Sequence, residues 1–356
     1  MRWDGLRLDT GVDTGAEADI HGGVPAPLFA RSAVTRTFDT PEFRGVTFYE
    51  IHARSIINRV PPASRVPFEW TINPYRGCTH ACRYCFARRT HEYLDLGSGR
   101  DFDSKIVVKV NAPDLVRKEL TARRWGGHPI AMGTNVDCYQ RAEGRYRLMP
   151  GILAALRDTR NPFSILTKGS LILRDLGLLA EAAEVTEVSA AVSVGFTDES
   201  LWRAVEPGTP SPRKRLEVCA TLNAHGIPCG VLMAPILPYL CDSPRALETT
   251  VRRIAETGAT HVTPIVLHLR PGAREWFMAW LSREHPRLIP RYLELYGRGA
   301  YAPKAYQERI GQTVRALALK HGIGRSAPPG ARGHRDTGRA APPPVPAATP
   351  EQLTLL

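Results

Sequence analysis

Three cysteines crowded into one short segment are the most chemically suggestive feature of this sequence. Cys78, Cys82 and Cys85 stand in the run Asn-Pro-Tyr-Arg-Gly-Cys-Thr-His-Ala-Cys-Arg-Tyr-Cys, separated by three and then by two residues. Thiols at these spacings can converge from one loop onto a single metal centre. A zinc site takes four ligands, usually as two distant pairs, and no second pair follows here. Three thiolates also suit a four-iron cluster whose fourth iron is left open for a small molecule.

Two alternatives remain at this point. The three cysteines can form a Cys₃His zinc site completed by His80 or His91, or they can be reduced and buried without any metal. The other four cysteines are scattered singly along the chain and do not predict a second cluster: Cys138, Cys219, Cys229 and Cys241. In a large chain without a visible secretory signal, this pattern indicates metal or redox chemistry rather than a disulfide framework.

The elements that must position the cysteines alternate between strand and helix. Short apolar runs of strand length occupy residues 129–135, 163–168, 188–196, 228–236 and 261–269. Helical segments separate them, and Ser211-Pro212 and Ser243-Pro244 each combine an N-cap residue with a first-turn proline. Near-continuous apolar strands with intervening helices predict an α/β fold, with a parallel sheet covered on both faces or closed into a barrel.

The motif Cys-x₃-Cys-x-aromatic-Cys resembles the signature of radical S-adenosylmethionine (SAM) enzymes. The flanking Asn-Pro-Tyr-Arg-Gly and Cys-Phe-Ala-Arg resemble the spore photolyase-like branch, often labelled "DNA repair photolyase", and the likeness runs from about Ala53 to about Arg274. The resemblance implies a partial (βα)₆ TIM-like barrel with the cluster loop after its first strand. It also implies a 4Fe–4S cluster on Cys78, Cys82 and Cys85, with SAM chelating the fourth iron.

The chemistry that this resemblance implies is reductive cleavage of SAM. One electron splits SAM into methionine and a 5′-deoxyadenosyl radical, which abstracts hydrogen from a substrate that the sequence does not identify. The cofactors supply this chemistry, and the protein supplies placement and exclusion of water. An electron donor such as flavodoxin or ferredoxin is an expected partner.

Further site residues are implied by matching positions. Tyr84 matches the aromatic residue whose backbone meets the adenine of SAM, and Lys168 matches a lysine that pairs with the methionyl carboxylate. Residues 133–137 end the second strand, where relatives bind the amino group of SAM, and Ser193 resembles a ribose contact. The carboxyl ends of barrel strands carry the active site, which is the physical reason to expect these roles. The SAM-binding candidates are therefore Tyr84, Thr134, Asn135, Asp137, Lys168 and Ser193.

The chain departs from its relatives at Asp-Cys-Tyr-Gln-Arg, residues 137–141, where the family commonly has Asp-Pro-Tyr-Gln-Pro. Cys138 therefore stands near the region where spore photolyase keeps a hydrogen-donating thiol, and it is the candidate catalytic residue. Its alternative role is that of a small buried apolar residue. Glu206 and Arg213 flank a proline-rich loop, from which they can reach substrate or SAM or pair with each other.

Composition and charge narrow the class of protein further. The chain has 356 residues, 43% of them hydrophobic, which predicts a folded core rather than disorder. No apolar stretch is long enough to span a bilayer as a helix, so the expected location is the cytoplasm. The formal net charge of +12 favours a polyanionic partner, with nucleic acid as the candidate. Candidate phosphate contacts are Arg117-Lys118, Arg123-Arg124 and Arg213-Lys214-Arg215.

Three regions are expected along the chain. Residues 1–50 predict an irregular N-terminal arm, residues 51–324 the barrel with C-terminal helices, and residues 325–356 a disordered Pro/Ala-rich tail. The tail ends in Gln352-Leu353-Thr354-Leu355-Leu356, which resembles the peptide that binds the bacterial sliding clamp. A second hypothesis follows: a clamp-tethered nucleic-acid-binding iron–sulfur protein that does not cleave SAM.

Overall fold

A computed structural model describes residues 33–61, 64 and 66–324. Its central feature is a sheet of seven strands, which are β3 (Ile57–Arg59), β4 (Trp70–Ile72), β7 (Ile130–Met132), β8 (Phe163–Thr167), β9 (Val188–Ser193), β10 (Cys229–Ile236) and β11 (Val262–Val266). Their order across the sheet is β11-β10-β9-β8-β7-β4-β3. All neighbours from β4 to β11 pair in parallel, and β3 is an antiparallel edge strand.

Six parallel strands, each followed by helix, make this sheet the predicted partial (βα)₆ barrel. The pairing order ends at β11 and β3, so the described strands do not close into a ring. All five apolar runs identified in the sequence are strands, because residues buried on both faces of a parallel sheet leave a local apolar signal. The first barrel strand, β4, is only three residues long and gives no such signal.

Eleven α-helices are present in the described residues. They are α1 (Arg100–Ser104), α2 (Ala112–Leu120), α3 (Arg141–Tyr146), α4 (Leu148–Asp158), α5 (Leu176–Val185), α6 (Glu199–Val205), α7 (Pro212–Ala224), α8 (Pro244–Ala255), α9 (Ala273–Glu284), α10 (Ile289–Leu295) and α11 (Lys304–Lys320). The predicted caps of α7 and α8 are confirmed: Ser211 Oγ accepts from the Lys214 amide and Ser243 Oγ accepts from the Ala246 amide, both at 3.2 Å. Neither helix is long and apolar enough to cross a membrane, and the same holds for every other helix in the described part of the chain.

A second sheet of four strands has the order β1-β2-β6-β5, formed by β1 (Val34–Thr37), β2 (Thr47–Ile51), β5 (Tyr75–Arg76) and β6 (Lys105–Lys109). The expected irregular arm over residues 1–50 therefore contains regular structure in its last third. The physical reason is that Phe43 and Phe48 are buried in the core, and β2 pairs in parallel with β6. The expected start of the arm and the whole predicted tail, including its clamp-like peptide, lie outside the described residues.

Candidate active site

The three-cysteine segment is a loop that follows β4 and β5, at the carboxyl edge of the barrel sheet. Two residues in the loop adopt left-handed backbone conformations: Gly77 has φ +76° and Ala81 has φ +52°. A side chain at Gly77 would lie 2.9 Å from the Lys105 carbonyl oxygen, so only glycine fits there. A non-glycine residue such as Ala81 with positive φ is uncommon and indicates a loop held in shape by its surroundings.

Gln140 holds the loop from the end of the second barrel strand. Its side chain is fully buried, its Oε1 accepts from the Thr79 amide at 2.9 Å, and its Nε2 donates to the Gly77 carbonyl at 3.0 Å. The two hydrogen bonds bracket Cys78, whose own amide donates to the Phe102 carbonyl at 2.9 Å. The backbone on both sides of Cys78 is thereby fixed.

The far side of the loop is held by the segment after β9. The Arg83 amide donates to the Val205 carbonyl at 2.9 Å, and the Gly208 amide donates to the His80 carbonyl at 3.1 Å. A side chain on Gly208 would come within 2.2 Å of the Thr79 carbonyl oxygen, so the two loops approach as closely as backbones allow. The cysteine loop is therefore held by hydrogen bonds to the segments that follow two different barrel strands, β7 and β9.

Arg88 anchors the loop from the 3₁₀ helix Phe86–Leu94. Its guanidinium is fully buried, and its Nη2 donates to the Cys82 carbonyl at 2.9 Å and lies 2.8 and 3.0 Å from the two carboxylate oxygens of Asp103. It also lies 4.8 Å from the centre of the Trp276 ring. Burial raises the pKa of Asp103 to about 6, against the opposing effect of Arg88.

The three thiols are largely shielded from solvent. Cys78 and Cys82 are buried and Cys85 is half-buried. Burial raises the pKa of all three, that of Cys82 to about 12, and the neighbouring thiols add to the rise at Cys78 and Cys82. The positive charge of Lys168 opposes this rise at Cys82 and Cys85. Such thiols become thiolates readily only when a metal centre supplies compensating positive charge.

The donor set fits an iron–sulfur cluster better than a single metal ion. Among the residues that the structure describes, no three His, Cys, Asp or Glu side chains converge closely enough to hold one ion. A four-iron cluster binds each thiolate through a different iron, so its ligands stand farther apart than those of a single ion. Two buried thiols and one half-buried thiol on one anchored loop, near the positive charge of Lys168, are a donor set of this kind.

Neither histidine of the zinc alternative is placed as a fourth ligand. His80 is buried, with Nδ1 3.4 Å from Asp137 Oδ2, and burial lowers its pKa to about 4. His91 Nε2 lies 2.9 Å from the Lys105 carbonyl oxygen, and its ring packs edge-on against Phe102. One ring nitrogen of each histidine is engaged by the fold, whereas His91 Nδ1 is buried without a hydrogen-bond partner; among the described residues, neither ring converges with the cysteines into a group that could hold a single metal ion.

Asp137, after β7, organises the end of the second barrel strand. Its Oδ1 accepts from the Tyr139 amide at 2.9 Å and from Thr167 Oγ1 at 2.7 Å, and its Oδ2 accepts from the Lys168 amide at 2.6 Å. Asp137 therefore shapes the backbone of two strand ends. Thr134 and Asn135 are half-buried beside it, and their side chains make no hydrogen bond to other described residues.

Lys168 and Ser193 are brought together across two neighbouring strands. Lys168 Nζ donates to Ser193 Oγ at 2.7 Å and lies 5.9 Å from the centre of the Tyr84 ring. Ser193 Oγ in turn donates to the Ala234 carbonyl at 2.9 Å. The structure thus assembles three of the predicted SAM-binding residues into one cluster beside the cysteine loop.

A buried ion pair between Glu206 and Arg215 contacts two members of this cluster, Tyr84 and Ser193. Glu206 is fully buried, accepts from the Tyr84 hydroxyl and pairs with Arg215, which also donates to the Ser193 carbonyl at 2.7 Å. Burial acts to raise the pKa of Glu206, but Arg215, Lys168 and the tyrosine hydroxyl outweigh it and lower the pKa. The Tyr84 ring is thereby fixed by its hydroxyl.

The structure excludes one of the alternatives for Glu206 and Arg213, and one of the expected phosphate contacts is wrong. Glu206 does not pair with Arg213, which is an exposed residue of α7 that pairs with Glu217. Arg215 is 1% exposed, so it is not a surface phosphate contact, because its charge is satisfied inside the fold by Glu206. The geometry of the helix explains both results: one residue of the Arg-Lys-Arg run faces inward while its neighbours face solvent.

Cys138 is fully buried in the main hydrophobic core. Burial raises the pKa of its thiol well above the usual value, and the charges of Asp137 and Glu143 add to the effect. Cys138 directly follows Asp137, but its thiol lies within the packed side chains of the core. Its role as hydrogen donor stays a prediction.

A cavity of about 800 Å³ opens beside the cysteine loop. Its walls come from the segment 37–43, from His80, from Arg141 and Arg145 of α3, and from the turns 169–171 and 208–210. The Arg145 guanidinium lies 4.6 Å from the centre of the Phe38 ring. The positive charge of Arg141 contributes to the lowered pKa of His80, so this arginine lies close to the loop.

Arg88 and Gln140 were missed as functional candidates, and Arg215 was expected as a phosphate contact rather than as the buried partner of Glu206. Gln140 carried a signal, since it belongs to the Asp-Cys-Tyr-Gln-Arg segment that follows the second strand. Arg88 and Arg215 carried none, because a buried arginine is recognisable only once its carboxylate and carbonyl partners are placed.

Comparisons with known proteins agree with this architecture. The family model described as the Radical SAM superfamily matches residues 72–253. An uncharacterised protein of Mycobacterium tuberculosis (strain ATCC 25618 / H37Rv) is 50% identical over 306 residues, covering 85% of this chain and 90% of that protein. An uncharacterised protein of Methanocaldococcus jannaschii is 31% identical over 199 residues, covering 55% of this chain and 70% of that protein.

Solved structures share the fold at lower identity. Spore photoproduct lyase complexed with dinucleoside spore photoproduct superposes with a TM-score of 0.58 at 17% identity, covering 78% of this chain and 80% of that chain. A mutant of that enzyme with bound AdoMet gives a TM-score of 0.56 at 17% identity, over 74% of this chain and 76% of that chain. The cysteine loop at the carboxyl edge, the six parallel strands and the matched family model lead to one conclusion: the chain belongs to the radical SAM superfamily and is an enzyme of that type.

Proposed function

We propose that this enzyme binds a 4Fe–4S cluster through Cys78, Cys82 and Cys85, binds SAM beside it, and abstracts hydrogen from a nucleic-acid substrate. When bound, the cluster and SAM would together supply reductive cleavage of SAM and a 5′-deoxyadenosyl radical. The observation that carries the proposal is the anchored loop: three thiols share one rigid segment, held by Gln140 and Arg88 at the edge of the sheet where barrel enzymes bind substrates.

Lys168 and Ser193 are the residues best placed to receive SAM. The Lys168 ammonium lies in a half-buried position next to the cysteine loop, where it can pair with a carboxylate. Ser193 Oγ currently accepts from Lys168 and would exchange that contact for a ribose hydroxyl. Asp137 fixes the Lys168 backbone at 2.6 Å, so the lysine approaches the site from a defined position.

Thr134 and Asn135 complete the proposed binding surface for SAM. Their polar side chains stand half-buried at the end of β7 without hydrogen bonds to other described residues, so they are available to a ligand. Tyr84 contributes its backbone, because Glu206 holds its hydroxyl. The pattern supports SAM binding across the ends of the first four barrel strands.

The cavity supports nucleic acid as the substrate class. Arg141 and Arg145 are exposed, lie one helical turn apart on α3, and have no acidic partner among the described residues. Phe38 adds an aromatic face under the Arg145 guanidinium. Arginines for phosphates and an aromatic ring for a base are the groups that single-stranded nucleic acids bind. Asp39 and Glu42 also line the cavity, so we place the phosphate at the two arginines.

The net charge and one structural relative point in the same direction. The chain carries a formal charge of +12, which attracts polyanions. Spore photoproduct lyase, which shares the fold, has been solved with a dinucleoside photoproduct. We do not assign that enzyme's reaction to this chain, because a shared fold does not determine the chemistry.

The first test is anaerobic. The protein is reconstituted with iron and sulfide, then incubated with dithionite and SAM, and 5′-deoxyadenosine is quantified. The control is the variant with Cys78, Cys82 and Cys85 changed to Ala. Product in the wild type and none in the control supports the proposal. A loaded cluster that yields no product, even with DNA or RNA added, would favour a nucleic-acid-binding iron–sulfur protein instead.

The second test concerns the substrate. Arg145→Ala is expected to weaken binding of single-stranded oligonucleotides and to lower the slope of log affinity against log salt by about one. Arg309→Ala is the matched control, because Arg309 also stacks on an aromatic ring, 4.9 Å from that of Tyr306, but does not line the cavity. Equal binding by both variants would refute the assignment of the cavity.

A further inference from the structure

Arg88 places a buried positive charge against the cysteine loop. Its side chain is fully buried, with Nη2 2.9 Å from the Cys82 carbonyl oxygen and Nη1 2.8 Å from the Gly99 carbonyl oxygen. The guanidinium carbon lies 5.2 Å from the centre of the Phe102 ring and 4.8 Å from that of the Trp276 ring. Protein groups rather than water therefore surround this charge. Because an arginine is not deprotonated in proteins, the charge is permanent.

Holding the loop in shape does not by itself require this charge. Neutral hydrogen bonds from Gln140 and from the Gly208 amide already fix other parts of the loop backbone. A neutral donor could equally bond the Cys82 carbonyl, whereas burying a guanidinium carries a large desolvation cost. A buried ion pair stabilises a fold little or not at all relative to apolar residues of the same volume. The charge of Arg88 therefore points to a use beyond stability.

Asp103 neutralises Arg88 only in part where the cysteines are concerned. The Arg88 side chain is 0% exposed and that of Asp103 is 14% exposed, so the carboxylate is the member of the pair that reaches solvent. The hydrogen bonds that the described residues make to the Asp103 carboxylate all come from Arg88. At Cys85, the arginine lowers the thiol pKa by more than the aspartate raises it. The pair therefore presents a net positive potential to the third cysteine.

The other charges beside the loop do not duplicate this effect. Lys168 also lowers the pKa of Cys85, but by less than Arg88 does. Lys168 is in addition the proposed partner of the SAM carboxylate, which would neutralise it when SAM binds. Glu206 and Arg215 are paired with each other and have opposite effects on the loop. Arg88 is thus the permanent cation that acts on the thiols whether or not SAM is bound.

We propose that Arg88 raises the reduction potential of the cluster by holding a permanent positive charge against the cysteine loop. This inference rests on the proposed function, since it requires the cluster on Cys78, Cys82 and Cys85. Reduction adds one electron, and hence one negative charge, to the cluster, with no bond formed and no proton transferred. A nearby cation stabilises the reduced form, and its effect is larger where water does not screen it.

The experiment compares the potentials of the reconstituted wild type, Arg88→Met, Arg88→Lys, Asp103→Asn and, as a control, Arg157→Met. Each protein is reduced stepwise with titanium(III) citrate and redox mediators, without SAM, and the reduced cluster is quantified by electron paramagnetic resonance. The buffer is at pH 8, where Asp103 is ionised because its pKa is about 6. Arg157 is the matched control, because it lies 2.8 Å from Asp158, the same distance as in the Arg88 pair. It is only half-buried, in the last turn of α4, which leads to the opposite, amino-terminal edge of β8.

The two changes that each remove one charge should shift the potential in opposite directions. Arg88→Met removes the cation and should lower the equilibrium constant for reduction about tenfold, which is about 59 mV for a one-electron couple. Asp103→Asn removes the opposing carboxylate and should raise that constant about threefold. Arg88→Lys keeps the charge, and Arg157→Met changes only a charge that solvent screens. Both should therefore stay within about twofold of the wild type.

The opposite shifts separate the charge of Arg88 from its role as an anchor. An arginine that only anchored the loop would affect iron and sulfide content, which is measured for every variant, but would give Asp103→Asn no reason to raise the potential. Should Arg88→Met retain no cluster, the direction of the shift in Asp103→Asn decides. An unchanged or lowered potential in Asp103→Asn overturns this inference and leaves the proposed function standing. A wild type that binds no cluster overturns both.

Discussion

The buried pair of Glu206 and Arg215 offers the sharpest physical test of how the site is held together. Both side chains are at most 1% exposed, and Glu206 also holds the Tyr84 hydroxyl. Replacing Glu206 with Gln keeps the shape and the contact with Tyr84 but removes the negative charge. Arg215 is then left as a buried cation without a carboxylate partner, although its guanidinium still donates to the backbone carbonyl of Ser193.

The magnitude follows from that uncompensated charge. Removing one partner of a buried pair costs about 3–5 kcal/mol, whereas breaking an exposed pair costs at most about 1 kcal/mol. Glu199→Gln is the matched control, because Glu199 pairs with Arg203 on the nearby helix α6 at 3.3 Å and both side chains are exposed. We therefore expect Glu206→Gln to lower the free energy of unfolding by at least about 2 kcal/mol more than Glu199→Gln.

The double variant Glu206→Gln/Arg215→Met separates the charge from the packing. With both charges gone, most of the lost stability returns, except for about 1 kcal/mol from the missing bond to Ser193. The assay is urea unfolding of the cluster-free protein under reducing conditions, followed by tryptophan fluorescence. The reasoning is refuted if Glu206→Gln and Glu199→Gln lose the same stability, or if the double variant is less stable than Glu206→Gln alone.

Two further predictions concern residues around the loop. Burial, reinforced by the charge of Arg76, lowers the pKa of Lys109 to about 7. Because the unfolded chain then binds a proton that the folded protein does not, the fold loses stability as the pH falls from about 10 to 7. Lys109→Met removes this loss, so the urea midpoint of unfolding should rise by more at pH 7 than at pH 10. Gly208→Ala places a methyl group 2.2 Å from the Thr79 carbonyl oxygen and should cost about 1–3 kcal/mol and lower iron content after reconstitution. Gly177→Ala in α5, where nothing lies within 4 Å, should instead stabilise the protein by about 0.5–1 kcal/mol; equal effects of the two alanines would contradict the close approach of the loops.

Local signals account for what the sequence predicts correctly. Five barrel strands are visible as apolar runs, and the starts of α7 and α8 are visible as Ser-Pro pairs, because each signal lies within a few neighbouring residues. The second sheet gave no such signal. Thr47 pairs with Lys105 across nearly sixty residues, and neither strand shows from its own sequence which partner it will meet.

The contrast between local sequence signals and long-range contacts also applies to the residues of the site. The cysteine spacing identifies the loop, because all three thiols lie within one turn-rich segment. The orientation of Arg215 depends on Glu206 and Ser193, which come from two other elements. A sequence pattern records that arginines are present at 213–215, but only the packed fold decides which one faces a carboxylate.

The anchors of the cysteine loop differ in kind, and the difference has a consequence for how the site assembles. Gln140 and Gly208 act on the backbone through hydrogen bonds and close approach, and these hydrogen bonds can form without any metal. The buried thiols, whose pKa values burial raises, favour the neutral form until positive charge arrives. The backbone of the loop is therefore shaped by the fold, and the charge of the thiolates must come with the cluster. A cluster-free protein should accordingly keep the loop conformation, and cluster uptake should release protons from the cysteines rather than refold the segment.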